Sequence, residues 1–239
     1  MTTLDRDPSD LRFRVPLYTL AEAAQALDVP PSTLNTWARG YVRRPPGRRA
    51  TKQGPVITAT SGQGKRPIIP FIGLAEGLVV AAFRRAGVSM QHIRKAVRIL
   101  EREIRIDHAL ASQRLYTDGA RILFDAAGRT RDRDVKHLVD VVSGQGIFAP
   151  VILEYLRRIT YAPDGWAARL VLPITKRPVV EVDPERSFGQ PIFISGAVRV
   201  EDVVDRWKAG ETLAEVAADF GVPADDVEDV LRAGFPQAA

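Results

Sequence analysis

The chain has 239 residues, 45% of them hydrophobic and 26% charged, which is enough apolar material for a folded core and too much for a disordered tail. It has no cysteine, which excludes disulfides, thiolate metal sites and cysteine nucleophiles together, and no uncharged apolar run of the roughly 18 residues a membrane helix needs. The net charge of +5 hides a division: positions 29–75 hold no acid and eight bases, whereas positions 178–239 hold thirteen acids and five bases, pointing to a polyanionic partner at one end and a different partner at the other.

The first ten residues are polar and carry three aspartates, unlike a secretory leader. With the lack of cysteine, this predicts a cytoplasmic protein with no membrane partner. Thr19 opens the first periodic segment. Thr19 and Glu22 have capping-box spacing, and Leu20, Ala23, Ala24 and Leu27 follow at helical spacing. Asp28-Val29-Pro30 makes a turn, and a second helix begins near Ser32: a helix-turn-helix. Leu34 and Trp37 point inward, which leaves Ser32, Thr33, Asn35, Thr36 and Arg39 outward. Small polar residues followed by a cation suit a helix that reads base edges and phosphates.

Next come Tyr41, Arg43, Arg44, Arg48, Arg49 and Lys52, then two β-prone runs, residues 55–60 and 65–70, around Ser61-Gly-Gln-Gly64. These runs predict a hairpin flanked by Lys65 and Arg66, a basic wing that grips phosphates beside the groove. Leu74, Leu78, Val79, Ala82 and Phe83 predict a helix ending near Gly87. Ser89 caps another with an apolar stripe at Ile93, Ala96, Val97, Leu100 and Ile104. The opposite face of that helix, with Arg94, Lys95, Arg98, Arg102 and Arg105, reads as a solvated surface.

In the middle, Thr117-Asp118-Gly119 within residues 115–124 predicts a β-hairpin. Residues 129–134 read as an exposed charged loop, 153–158 as helix, and 167–173 and 179–182 as strands. The segment 212–227 repeats 19–34 without gaps, identical at seven of sixteen positions, down to the Thr212–Glu215 capping box and the Val222-Pro223 turn. Its second helix, however, carries Asp225, Asp226, Glu228 and Asp229. Carboxylates there are repelled by a phosphate backbone, so the second copy reads as a protein-contact or structural unit.

No catalytic constellation is present. Ser61-Gly-Gln-Gly-Lys65 lacks the first glycine and the Ser/Thr of a phosphate-binding loop, and His92, His108 and His137 show no metal-ligand spacing. The expectation is a non-enzyme without metal or cofactor.

Two family resemblances sharpen this. Residues 18–37, continuing through the wing to Gly87-Val-Ser-Met-Gln-His-Ile-Arg94, resemble a MerR-type winged helix-turn-helix domain. That likeness implies DNA binding, without the cysteines used for metal sensing. Val182-Asp-Pro184, Gly189 to Gly196, Arg199-Val200, Val203-Val204, Ala209 to Thr212 and Glu215 to Ala217 resemble a small antitoxin domain long catalogued as a domain of unknown function. The composite is similar to a VapB-type antitoxin of a type II toxin-antitoxin module. That resemblance implies a homodimer within a hetero-oligomer, which holds double-stranded operator DNA and silences a PIN-like ribonuclease toxin encoded beside it. The implied toxin-contact residues are Gln190, Phe193, Arg199, Arg206 and Trp207. The rival is a stand-alone MerR-like transcription regulator with a small-molecule-sensing C-terminal half. The fold expected is mainly α with small β elements. Its parts are a winged helix-turn-helix over 1–108, a central hairpin and helix segment over 109–177, in position to dimerise, and a small helical second helix-turn-helix-like domain over 178–239.

Overall fold

In the computed structural model, the described residues are 10–44, 49–62, 66–129, 136 and 148–235. The architecture is mainly α-helical with small sheets. Strand β1 (Pro16–Tyr18) leads into α1 (Leu20–Ala26). The Thr19 Oγ accepts from the Glu22 amide at 3.2 Å, and the Glu22 carboxylate accepts from the Thr19 amide at 2.7 Å, so the predicted capping box forms. Helix α2 (Pro31–Arg39) starts with proline in its first turn, where no amide partner is needed.

The wing lies earlier than the sequence predicts. Strand β2 (Tyr41–Arg43) pairs antiparallel with β3 (Thr51–Gln53), with Val42 opposite Lys52. Residues 55–60 form no strand; the Val56 amide instead donates to the Trp37 carbonyl at 2.8 Å. Strand β4 (Ile69–Pro70) pairs with β1. The prolines at 55, 67 and 70 supply no ladder amides, which favours the Pro-free run 51–53 as the wing's return strand.

Helix α3 (Phe71–Arg85) is buried on every side from Phe71 to Phe83, so it is the central pillar rather than an amphipathic surface helix. A Cβ on Gly73 would stand 2.1 Å from the Thr58 carbonyl oxygen, and one on Gly77 2.6 Å from Leu27 Cδ1. Both glycines let neighbouring backbone and α1 approach. Helix α4 (Met90–Ile104) is capped by Ser89 and buries the predicted stripe of Ile93, Ala96, Val97, Leu100 and Ile104.

Residues 113–129 form a helix, α5 (Gln113–Arg129), not the hairpin expected around Thr117-Asp118-Gly119. The glycine serves packing there: a Cβ would meet Leu115 Cδ1 at 2.8 Å and Phe148 Cζ at 3.1 Å. Helix α6 (Pro150–Leu156) packs on α3. Strands β5 (Ile159–Tyr161), β6 (Ala167–Val171), β7 (Val180–Val182) and β8 (Ile192–Phe193) form an antiparallel sheet in that order, with Leu170 opposite both Ile159 and Val182. Strands β6 and β7 lie on either side of position 177, so this sheet ties the central segment to the C-terminal one. The loop expected at 129–134 lies outside the described residues apart from Arg129.

Three helices complete the chain: α7 (Val200–Lys208), α8 (Leu213–Phe220) and α9 (Ala224–Arg232). The internal repeat is a repeat of backbone. Thr212 and Glu215 form the second capping box. The left-handed turn residue is Asp28 (φ 51°) in one copy and Gly221 (φ 63°) at the aligned position of the other. The Val29 amide donates to Ala24 and the Val222 amide to Ala217, each at 3.0 Å. One continuous apolar core runs from Phe13 to Phe235 through both copies.

Candidate nucleic-acid interface

Helix α2 buries Leu34, Trp37 and Ala38 against the core, and that fixes which residues face out. Ser32 and Asn35 are exposed, and Thr33 and Thr36 are half-buried at the edges of the same face. The Thr36 hydroxyl donates to the Ser32 carbonyl at 2.9 Å, so it faces a partner only as an acceptor. Arg39 is exposed, but its guanidinium donates to the Gly62 carbonyl at 2.9 Å, bracing the loop that follows the wing.

The wing continues from the C-terminal end of this helix through Gly40, whose left-handed conformation (φ 71°) turns the chain sharply. A Cβ there would stand 2.1 Å from the Gln53 carbonyl oxygen. Tyr41, Arg44, Arg49 and Lys52 are exposed on the hairpin, and Arg66 on the later loop. None of these cations is held by an acid among the described residues. Arg43 sits in β2 opposite Thr51; its side chain, Arg48 and Lys65 lie outside the described set. The helix and the hairpin thus present polar and cationic groups from adjoining elements, the chemistry that phosphates and base edges require.

Beneath the wing lies a cation expected on a solvated helix face. Arg94 of α4 is buried, 9% exposed. It donates to the Gly54 carbonyl just after β3, and its guanidinium carbon lies 5.7 Å from the Tyr41 ring centre in β2. One side chain therefore holds both wing strands against α4. Burial lowers its pKa. Nearby, His108 Nδ1 lies 2.9 Å from both Glu76 Oε1 and Thr58 Oγ1, and the Thr58 amide donates to Glu76 Oε2 at 2.5 Å. A sequence signal for this cluster exists: Glu76 is the lone charge in the apolar run Phe71–Phe83, and such a charge needs buried partners.

The C-terminal copy differs in charge. Arg177 pairs with Asp226 at 3.0 Å and Asp229 at 2.9 Å, and Arg232 with Glu228 at 2.6 Å. Asp226, expected on the outer face, is buried. Of the four acids, Asp225 is the exposed one.

Of the expected toxin-contact residues, one lies in the core and the others differ in exposure and pairing. Phe193 is fully buried in β8, opposite Val180, and its side chain serves the core. Arg199 is paired with Asp202, and Arg206 with Glu211 and Asp219. Gln190 is half-buried. Trp207 is 41% exposed on α7, and Phe188, which no sequence pattern marks, is 85% exposed in a loop of left-handed backbone.

Comparison with known proteins decides the family. The family described as "Putative DNA-binding HTH domain" matches residues 16–97, and "Protein of unknown function (DUF433)" matches 180–232. The chain is 45% identical over 230 residues to "Putative antitoxin VapB45" of Mycobacterium tuberculosis, covering 94% of this chain and 96% of that one. The chain belongs to the VapB45 antitoxin family. A more distant relative, "Uncharacterized protein Rv2308" of the same organism, is 25% identical over 230 residues, covering 90% of this chain and 88% of that one. The X-ray crystal structure of Rv2018 from M. tuberculosis is similar over 92% of this chain and 99% of that chain, with a TM-score of 0.80 and 40% identity. In this VapB45 relative, the DNA-binding match spans β1, α1, α2, the wing, β4, α3 and the first half of α4. The second match spans the strands and helices from β7 to α9. No described helix is long and apolar enough to cross a membrane.

Proposed function

We propose that this protein is an antitoxin that binds its operator as a homodimer, represses the operon, and silences a PIN-like ribonuclease toxin encoded in it. The observation that carries the reading is the charge contrast between two copies of one backbone. The N-terminal copy faces outward with Ser32 and Asn35 beside wing cations that no acid among the described residues holds, whereas the C-terminal copy turns Asp225 outward and ties Asp226, Glu228 and Asp229 into internal ion pairs. A recognition helix with a cationic wing suits DNA. A helix bearing Asp225 does not.

On this reading Ser32, Thr33, Asn35 and Thr36 meet base edges. Arg39, Tyr41, Arg43, Arg44, Arg48, Arg49, Lys52, Lys65 and Arg66 meet the backbone. The toxin contact falls to Gln190, Arg199, Arg206 and Trp207, with Phe188 as an exposed aromatic anchor of the kind that dominates protein interfaces. Family membership and the DNA-binding match support the antitoxin and DNA parts; the ribonuclease class rests on resemblance.

Co-expression of the tagged full chain with the product of the neighbouring gene tests it. The expected result is a stable complex that retards promoter DNA, with Phe188→Ala and Trp207→Ala each weakening the complex while leaving DNA binding intact. No complex, with DNA binding retained, contradicts the antitoxin role.

A further inference from the structure

A cleft of about 790 Å3 opens between the wing base and helices α3 and α4, away from the outer face of α2. Its walls include Lys52, Gly54, Glu76, Arg94, Arg98 and Glu101, with Asp107 and His108 at one end. That volume falls within the range of roughly 300–1,000 Å3 typical of small-molecule sites.

Arg94 gives the cleft its chemistry. Its Nη1 donates to the Gly54 carbonyl, while Nε and Nη2 are buried with no acceptor among the described residues. Those two nitrogens form the edge of a guanidinium that matches the paired oxygens of a carboxylate. A charged donor edge shut away without an acceptor is costly, so it marks a place where an acceptor binds. Arg98, one turn along α4 and exposed, supplies a second cation. Farther along the same helix the sign reverses. Glu101 stands seven residues from Arg94, about 10 Å along the axis, with Asp107 and buried Glu76 nearby. Partial desolvation and these two acids hold the Glu101 pKa above its ordinary value.

We propose that this cleft is a binding site for a small amino-carboxylate, its carboxylate on the free edge of Arg94 beside Arg98 and its ammonium at Glu101 and Asp107. A simple anion leaves the acidic end unmatched, and a polyamine leaves the arginine edge unpaired. No group of His, Asp and Glu suited to a metal ion occurs among the described residues. The same guanidinium holds the Gly54 carbonyl through Nη1 and lies against the Tyr41 ring, so entry of the ligand is coupled to the wing's position. Where the wing holds DNA, as proposed above, the ligand and DNA alter each other's affinity by the same factor. Binding to the cleft itself stands independently of DNA.

The test is calorimetric titration of the DNA-free full chain at fixed ionic strength with 6-aminohexanoate, acetate and butylammonium. The expected result is binding of 6-aminohexanoate at least about tenfold tighter than of either one-ended compound, because each end contributes a charge-assisted contact. Arg94→Met abolishes that binding, and Glu101→Gln weakens it by about tenfold. Arg98 and Glu101 are exposed, so Arg98→Ala and Glu101→Gln decide the matter even if Arg94→Met does not fold. No binding of 6-aminohexanoate, equal binding of acetate, or binding unmoved by both exposed substitutions overturns the proposal.

Discussion

Individual side chains divide into those that would read DNA and those that hold the reader. Asn35 is exposed on the outer face of α2, and Arg49 is exposed on the wing. Their loss is predicted to leave different signatures. Asn35→Ala costs about 1–3 kcal/mol on the cognate operator, relaxes specificity at one base pair, and leaves the salt dependence unchanged. Arg49→Ala weakens binding to all sequences and lowers the salt slope by about one. Competition binding at several salt concentrations separates the two, and identical signatures would refute the assignment. Tyr18 belongs to the holding class. Its buried hydroxyl donates to the Gly189 carbonyl at 2.8 Å, across 171 positions of sequence. Burial raises its pKa, so it remains a protonated donor into alkaline pH. Tyr18→Phe is expected to lower stability by about 1 kcal/mol in urea unfolding, with DNA binding unaffected.

At the scale of elements, the helix-turn-helix units were legible because each is specified locally. Capping boxes, 3.6-residue periodicity and Val-Pro turns all act within sixteen residues. Thr19→Ala and Thr212→Ala are therefore each expected to lower stability by about 1 kcal/mol, read from chemical denaturation. The wing was legible in charge but not in position. Residues 55–60 have strand character, yet the Val56 and Ile57 amides serve the Trp37 carbonyl, the Thr58 amide serves Glu76, and the Thr58 carbonyl lies against Gly73. Only the folded contacts reveal that. The error at 117–119 has the same origin: Asp-Gly signals a turn unless the glycine is needed for contact with Phe148. The burial of Arg94 is not legible in the sequence, because its position flanks the apolar stripe of α4 and whether a flanking cation is buried depends on what lies over it. Gly40→Ala tests the wing as an element. A Cβ clashing with the Gln53 carbonyl, in a left-handed residue, displaces the hairpin. Affinity for any DNA should fall about tenfold or more, while far-ultraviolet circular dichroism stays helical; unchanged affinity would remove the wing from the interface.

The whole molecule joins its two ends. Arg12 bridges Asp10 and Asp164, Gln25 donates to the Gly234 carbonyl at 3.1 Å, and the apolar core is continuous from Phe13 to Phe235. Such continuity predicts one cooperative unfolding transition, with calorimetric and van't Hoff enthalpies equal. Two separated transitions would show that the copies are independent. The same continuous core packs the helix-turn-helix with its cationic wing and the acidic C-terminal unit together, as the proposed two partners of opposite charge require. The most direct test of that account is binding to a duplex from the chain's own promoter across a range of salt, comparing wild type with the Arg44→Glu, Arg49→Glu double variant. The account predicts a linear fall of log affinity with log salt, whose slope drops by about two in the variant. An affinity independent of salt, or a variant that binds as the wild type does, would contradict it.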